Sequence, residues 1–339
     1  MASEIIVSVV MPVYNEEKYI EKCIDSLLLQ DYPTEKMEWI FVDGCSNDKT
    51  VEILKRFQNQ YPKLIKIYNN PKKIVPNAMN IGIEASCGKY IVRLDAHADY
   101  ATDYISMCIY YLENTDAENV GGVAETKANG FMGNVIAKML SSKFGVGNSQ
   151  FRINGESGYV DTVPFGAFKR EVFSKYGGYD ERLVRNQDNE MNFRIRKNGG
   201  KIYLSNDIHF SYYCRDSIKG ISIMAIKNGM WNIITMKLCP GSMGLRHFIP
   251  FLFVISVLGL SVLGMLHSIF WMLLGLELIL YFILDVLFSI KQASNVKDFF
   301  ALIVLFPVFH VAYGIGSIVG ITKLFSKEFQ KENYNNKKI

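Results

Sequence analysis

Asp95, His97 and Asp99 fall at alternate positions directly after Tyr90–Leu94, YIVRL, which reads as an interior strand. If strand geometry persists through them, all three side chains leave the same face. Carboxylate and imidazole at the end of a buried strand can hold a divalent cation, and such a set suits Mg2+ or Mn2+ bound to phosphates. On this stretch alone a second reading is equally open. Asp95 and Asp99 would then cap a helix starting near Thr102 or Asp103, with His97 a packed turn residue.

The elements that must position these groups alternate regularly. Ile5–Met11 is a β-branched run, expected as a strand covered on both faces and ended by Pro12. Ile20, Cys23, Ile24, Leu27 and Leu28 recur at helical spacing within Lys18–Gln30. Trp39–Val42 closes a β-α-β unit and delivers Asp43 at its carboxyl end; a helix over Lys49–Phe57, a strand over Leu64–Tyr68 and a helix over Asn77–Ala85 follow. The pattern predicts a doubly wound α/β sheet with ligands gathered at the carboxyl ends of the strands, where Glu16, Asp43 and Asp95 all lie. Neither a GxGxxG fingerprint nor a P-loop is present. Acids at strand ends repel bare phosphates but accept hydrogen bonds from a base and ribose, or hold a metal that binds the phosphates. A nucleotide together with a metal fits best.

Composition divides the chain of 339 residues. Residues 1–214 are mixed in character with a net charge of −2, while the remainder carries +6 and, from Phe248, long apolar runs. A basic collar beside apolar segments suits an anionic bilayer surface, and a slightly acidic domain argues against nucleic acid. The six cysteines show no CxxC pair and read as reduced thiols. The N-terminal MASEIIVSVVMPVYNEE lacks a basic region ahead of its apolar run, so the large domain is expected on the cytoplasmic side.

The membrane part is expected in three pieces after a 1–214 domain. Residues 215–247 hold an amphipathic helix, Ser217–Leu238, that lies in the interface or packs in a groove. Residues 248–321 carry about three spanning helices, 248–266, 269–288 and 299–321, the last interrupted by Pro307 and either spanning or re-entrant. Glu277, Asp285 and His310 are costly in lipid and should face one another or a cleft. Residues 322–339 form a basic tail.

The runs VSVVMPVYNEEKYIEKCIDSLLLQDYP, WIFVDGCSNDKTVEIL and NAMNIGIEASCGKYIVRLDAHA together resemble the nucleotide-sugar domain of the inverting glycosyltransferases of family 2. The DAHA variant and the C-terminal half are similar to the branch with the succinoglycan-type glucosyltransferases of exopolysaccharide assembly. The resemblance implies a GT-A-like mixed sheet followed by transmembrane helices. It also implies a donor that is a nucleoside-diphosphate sugar, a UDP-sugar, and Mn2+ or Mg2+ as cofactor. The partners it implies are a polyprenyl-linked saccharide acceptor and the lipid bilayer, here the inner membrane of a bacterium.

Carried over residue by residue, Pro12, Tyr14, Glu16 and Asp43 contact the nucleoside, with Glu16 on the ribose and Asp43 on the base. The family's VDDGS reads VDGCS here, with Gly44 in place of an acid. Its Asp-x-Asp metal motif reads Asp95-Ala96-His97, leaving Asp95 and His97 as ligands and Asp99 as a substitute for His97. The catalytic base falls on Asp188, in a pair that reads Gln187-Asp188; without the resemblance it is a first-turn helix acid, with Glu190 paired to Arg194. Val163–Phe168 resembles the acceptor-side segment, or is simply a buried turn. The processive Gln-x-x-Arg-Trp is reduced to Trp231, which disfavours a polymerase. The rival readings are a nucleotide-sugar-binding scaffold, supported by the changes at Gly44, His97 and Gln187, and a transporter, for which the helices are too few.

Overall fold

The computed structural model describes residues 4–326 and Phe329. The tail residues 327–328 and 330–339, with Lys327, Lys331, Lys337 and Lys338, lie outside the described residues. The chain forms two compact units, residues 1–125 with 150–213, and residues 126–149 with 214–339. The stretch 126–149, which the sequence reading leaves inside the 1–214 domain, therefore groups with the C-terminal unit.

In the first unit the order is β1 (Val7–Val13), α1 (Ile20–Leu28), β2 (Met37–Asp43), α2 (Thr50–Gln60), β3 (Ile65–Asn69), α3 (Val75–Ala85), β4 (Tyr90–Arg93), β5 (Ala98–Tyr100), α4 (Tyr104–Asn114) and β6 (Asn119–Lys127). The chain leaves for α5 (Gly130–Leu140) and α6 (Lys143–Val146), then returns as β7 (Gly158–Tyr159), β8 (Ala167–Lys169), α7 (Glu171–Tyr176), α8 (Gln187–Lys197) and β9 (Ile202–Tyr213). The sheet runs β3-β2-β1-β4-β8-β6-β9-β5, with β7 beside β9. The first four strands are parallel, whereas β8 is antiparallel to β4 and β6, and β5 is antiparallel to β9. This is the mixed α/β sheet expected.

Every residue of β2 is buried, as the apolar run Trp39–Val42 requires for a strand covered on both faces, and the acids Glu38 and Asp43 at its two ends are buried with it. Pro12 does not end β1; it pairs in register with Val42, and the strand continues to Val13. The reason is local. β4 pairs β1 only as far as Val10, opposite Arg93, so the donor that proline lacks faces an edge with no strand on that side.

The second unit is helical, with α5 and α6 joined by α9 (Ile218–Leu238), α10 (Ile249–Gly264), α11 (Ser268–Gln292) and α12 (Val296–Leu324). Among the described residues two helices, α11 and α12, are long and apolar enough to cross a membrane. The segment expected at 248–266 forms only the 16-residue α10, about 24 Å at the helical rise, short of the roughly 30 Å hydrocarbon core. Pro307 lies inside α12, which runs unbroken for 29 residues. The side of α9 bearing Ile221, Ala225 and Gly229 is buried. Gly229 and Gly316 let α9 and α12 approach so closely that a Cβ on either would strike the other helix's backbone carbonyls. The three polar groups of the apolar helices do not face one another. Glu277 accepts a hydrogen bond from Ser256, Asp285 from Ser289, and His310 sits between Tyr281 Oη at 2.8 Å and the Phe144 carbonyl at 2.9 Å.

Candidate active site

The parallel strands set one edge of the sheet. Val13 and Asp43 are in register at the carboxyl ends of β1 and β2, and β4 ends on Arg93. Two turns beyond this edge clasp each other. Glu16 N donates to Thr50 Oγ1 at 2.7 Å, Asn15 N to Ser46 Oγ at 2.9 Å, and Asn47 N to Asn15 Oδ1 at 2.9 Å. Asn15 makes this possible by taking a left-handed conformation, φ 55°.

Asp43 is buried, and its carboxylate accepts from Ser46 Oγ at 2.6 Å and Ser46 N at 3.0 Å. Tyr14 is half exposed, its ring against Gly44, where a Cβ would come within 3.2 Å of Tyr14 Cδ2. The acid expected after Asp43 is thus replaced by the residue that lets the Tyr14 ring lie close. Lys73 Nζ stands 5.8 Å from the centre of the same ring.

After β4 the chain turns at Ala96-His97 before β5 begins, so the two-residue period of a strand is lost. Asp95, His97 and Asp99 therefore do not share one strand face. The Asp95 backbone is fixed by the Tyr100 hydroxyl, which accepts from Asp95 N at 2.7 Å and donates to Asp95 O at 3.1 Å. His97 Nδ1 lies 3.3 Å from Glu16 Oε1, joining the first and fourth strand ends. Asp99 accepts from Lys22 Nζ at 2.7 Å and the Tyr213 hydroxyl at 3.0 Å, so its charge is already answered by a lysine of α1 and a hydroxyl of β9.

Asp188 arrives from the other side of the chain. The loop before α8 is pinned to α3: Asn80 accepts from Tyr179 N at 2.7 Å and donates to Tyr179 O at 2.9 Å, and Glu181 accepts from Asn77 at 2.9 Å and Lys72 at 2.6 Å. One turn into α8, buried Asn192 bonds Asn119 at 2.6 Å and Thr162 at 2.7 Å. These anchors put Asp188, in the first turn of α8, against the end of β4, where Arg93 Nη1 donates to its Oδ1. Arg93 Nη2 lies 3.5 Å from Asp95 Oδ1. Glu190 pairs instead with Arg194 at 2.6 Å, as its i,i+4 spacing suggests.

The electrostatics follow from burial. The Arg93 side chain is 5% exposed and that of Asp188 30%. Burial works against the Arg93 charge, but Asp188 and Asp95 more than offset it and raise its pKa. Burial pushes the Asp188 carboxyl above its ordinary value; Arg93 pulls the other way and the charge of Asp95 adds to the rise.

Arg93 is the residue that sequence reasoning passed over. Its signal was available: a cation inside an otherwise apolar strand, YIVRL, must be paired to be buried. Val163–Phe165, expected at the acceptor side, is loop ahead of β8; Phe165 takes φ 47° and its carbonyl accepts from the Tyr104 hydroxyl at 3.0 Å.

A divalent ion is implied by the resemblance, and the donor chemistry fits it in part. Asp95 offers a carboxylate and His97 an imidazole, a mixed set that suits Mn2+ better than Mg2+. Among the described residues no three His, Cys, Asp or Glu side chains are near enough to hold an ion, so phosphate oxygens would have to complete the shell.

The chain matches the family model described as Glycosyl transferase family 2 over residues 8–177. It is 29% identical over 326 residues to a dolichyl N-acetyl-α-D-glucosaminyl phosphate 3-β-D-2,3-diacetamido-2,3-dideoxy-β-D-glucuronosyltransferase of Methanococcus voltae, covering 94% of this chain and 97% of that protein. It is 30% identical over 209 residues to the succinoglycan biosynthesis protein ExoA of Rhizobium meliloti, covering 61% and 63% respectively. A solved mannosyltransferase of Pyrobaculum calidifontis, in complex with GDP-Man and Mn2+, superposes with a TM-score of 0.63 at 17% identity, over 93% of this chain and 88% of that one. At that identity the likeness speaks for the fold.

Proposed function

The chain belongs to glycosyl transferase family 2, and from that premise we propose that it is a membrane-anchored inverting glycosyltransferase. In this reading it moves one sugar from a UDP-sugar to a polyprenyl-linked saccharide. One observation carries the reading: a single buried guanidinium joins Asp95, at the donor edge of the sheet, to Asp188. Inversion needs a carboxylate beside the anomeric carbon and a separate group for the diphosphate, and these two acids supply them from separate segments of the domain.

Tyr14 takes the base on its exposed ring, and Asp43 accepts the imide N–H. Uracil presents a single such donor, which suits a carboxylate whose two oxygens are already bonded to Ser46. Glu16 meets the ribose. Asp188 accepts the proton of the acceptor hydroxyl as its oxygen attacks the anomeric carbon; the bond to the diphosphate oxygen breaks on the opposite face, and the nucleoside diphosphate leaves. A divalent ion held by Asp95 and His97 would offset the charge that grows on that leaving group.

Two long apolar helices support anchoring in a bilayer. The name of the M. voltae relative, a transferase to a dolichyl-linked sugar phosphate, supports a polyprenyl-linked acceptor. The test uses the full chain in detergent or nanodiscs, given UDP- and GDP-sugars with and without Mn2+, and a polyprenyl-linked saccharide. A product heavier by one sugar, with one equivalent of UDP released, is expected. Release of no nucleotide from any donor would overturn the reading in favour of a sugar-nucleotide-binding scaffold.

A further inference from the structure

We infer that Arg93 is a positioning residue for the transfer step: its guanidinium fork fixes the Asp188 carboxylate in line with the donor held by Asp95. The inference rests on the glycosyl-transfer reading of the site. Arg93 ends the strand whose next residues form the donor turn, so its backbone is set by β1 on one side and β8 on the other; Arg93 N itself donates to the Gly166 carbonyl at 3.0 Å. Its side chain is almost fully buried, and Nε has no hydrogen-bond partner among the described residues. Burying a cation with a donor left over is costly, and a structural role would be served by an apolar residue of similar size.

The two prongs differ. Nη1 makes a close hydrogen bond to Asp188, whereas Nη2 stands 3.5 Å from Asp95, outside good hydrogen-bond range. Arg93 therefore acts mainly on the group that meets the acceptor and less on the group that meets the donor. Lysine carries the charge but not the planar fork, and cannot face Asp188 Oδ1 and Asp95 Oδ1 at once from one fixed orientation.

The experiment measures kcat and the donor KM for Arg93→Ala and Arg93→Lys in the full-length protein, beside wild type and Asp188→Asn. Arg93→Ala should lose about 100-fold in kcat, the cost of a misplaced catalytic group, with a much smaller change in donor KM. Added guanidinium ion should restore part of that rate in Arg93→Ala and none in Asp188→Asn. A folded Arg93→Ala with wild-type kcat, a loss confined to donor KM, or no response to guanidinium would each overturn the inference. If Arg93→Ala does not fold, Arg93→Lys decides: lowered kcat at near-constant KM supports positioning, and wild-type kcat overturns it. Failure of the functional reading itself looks different, because wild type then transfers no sugar.

Discussion

Asp188 Oδ1 accepts a hydrogen bond from Nη1 of Arg93, a residue of the central parallel strands, although Asp188 opens a helix far along the chain. The contact sets two opposing influences on one carboxyl. Burial raises its pKa and the guanidinium lowers it, with burial the larger.

A pH dependence follows from that balance. As the proposed base, Asp188 works only when ionised, so transfer is expected to fall as pH drops through its folded pKa. That pKa lies above the ordinary aspartate value of about 3.9. The acid limb of kcat/KM is therefore expected above that ordinary aspartate value, and further up in Arg93→Gln, where the opposing charge is gone. Rates measured across pH 4–8 check it, and a limb unmoved by Arg93→Gln would refute the coupling. Asp188→Asn should lose about 10²- to 10⁴-fold in rate while UDP binding, read by calorimetry, is retained.

The turn after β4 separates His97 from Asp99. His97 lies 3.3 Å from Glu16, beyond the carboxyl end of β1, while Asp99 is held by Lys22 and Tyr213. His97→Ala is expected to raise the Mn2+ concentration needed for half-maximal transfer by about 10- to 100-fold, the range for a lost metal-site interaction. Asp99→Asn should leave the metal titration where it was. The reverse outcome would give the ligand role to Asp99.

The sequence carried the fold because period and composition agree along it: the stretches that become β1, β2 and β4 are short and dominated by β-branched and aromatic residues, and Asp43 follows Trp39–Val42 directly. It carried less of the site. Asp95, His97 and Asp99 read as one face only while a strand is assumed, and nothing in DAHAD announces that the chain turns at Ala96-His97 and re-enters the sheet against β9. The meeting of Arg93 with Asp188 depends on Asn77 and Asn80 of α3 gripping the 179–181 loop, a contact between distant segments that no local pattern encodes. The grouping of 126–149 with the C-terminal helices was hidden for a different reason: its apolar helix α5 looks like any core helix of an α/β domain.

At the amino end of the same strands, Glu38 is a buried carboxylate with three donors: Ser8 Oγ at 2.6 Å, Lys66 Nζ at 2.6 Å and Cys87 N at 2.5 Å. Burial would raise its pKa, but these bonds and the Lys66 charge outweigh it and the pKa is lowered. A carboxyl depressed on folding adds stability above its unfolded pKa and loses it as pH falls through the folded value. Glu38→Gln is expected to destabilise the protein by about 1.5 kcal/mol at pH 7, the scale of a lost charged hydrogen bond, because the Lys66 left behind is 39% exposed and stays solvated. The difference should narrow in acid, below the ordinary glutamate value of about 4.3. Denaturant unfolding at several pH values checks this, and a penalty constant down to pH 3 would count against it.

The α9–α12 contact gives a prediction about the C-terminal unit alone. Gly316 lies where an added Cβ would meet the Ile226 backbone, whereas nothing lies within 4 Å of a Cβ built on Gly275 of α11. Both are glycines in apolar helices, so helix propensity favours alanine by a similar margin, about 1 kcal/mol, at each. Packing separates them. Gly316→Ala must push α9 and α12 apart, losing contacts around Gly229 and Gly320 at a cost of roughly 1–3 kcal/mol, while Gly275→Ala adds a methyl to an open face. Thermal unfolding in a fixed detergent should therefore show Gly316→Ala melting below wild type and Gly275→Ala at or above it. Equal melting of the two variants would mean that close backbone approach is not what holds these helices together.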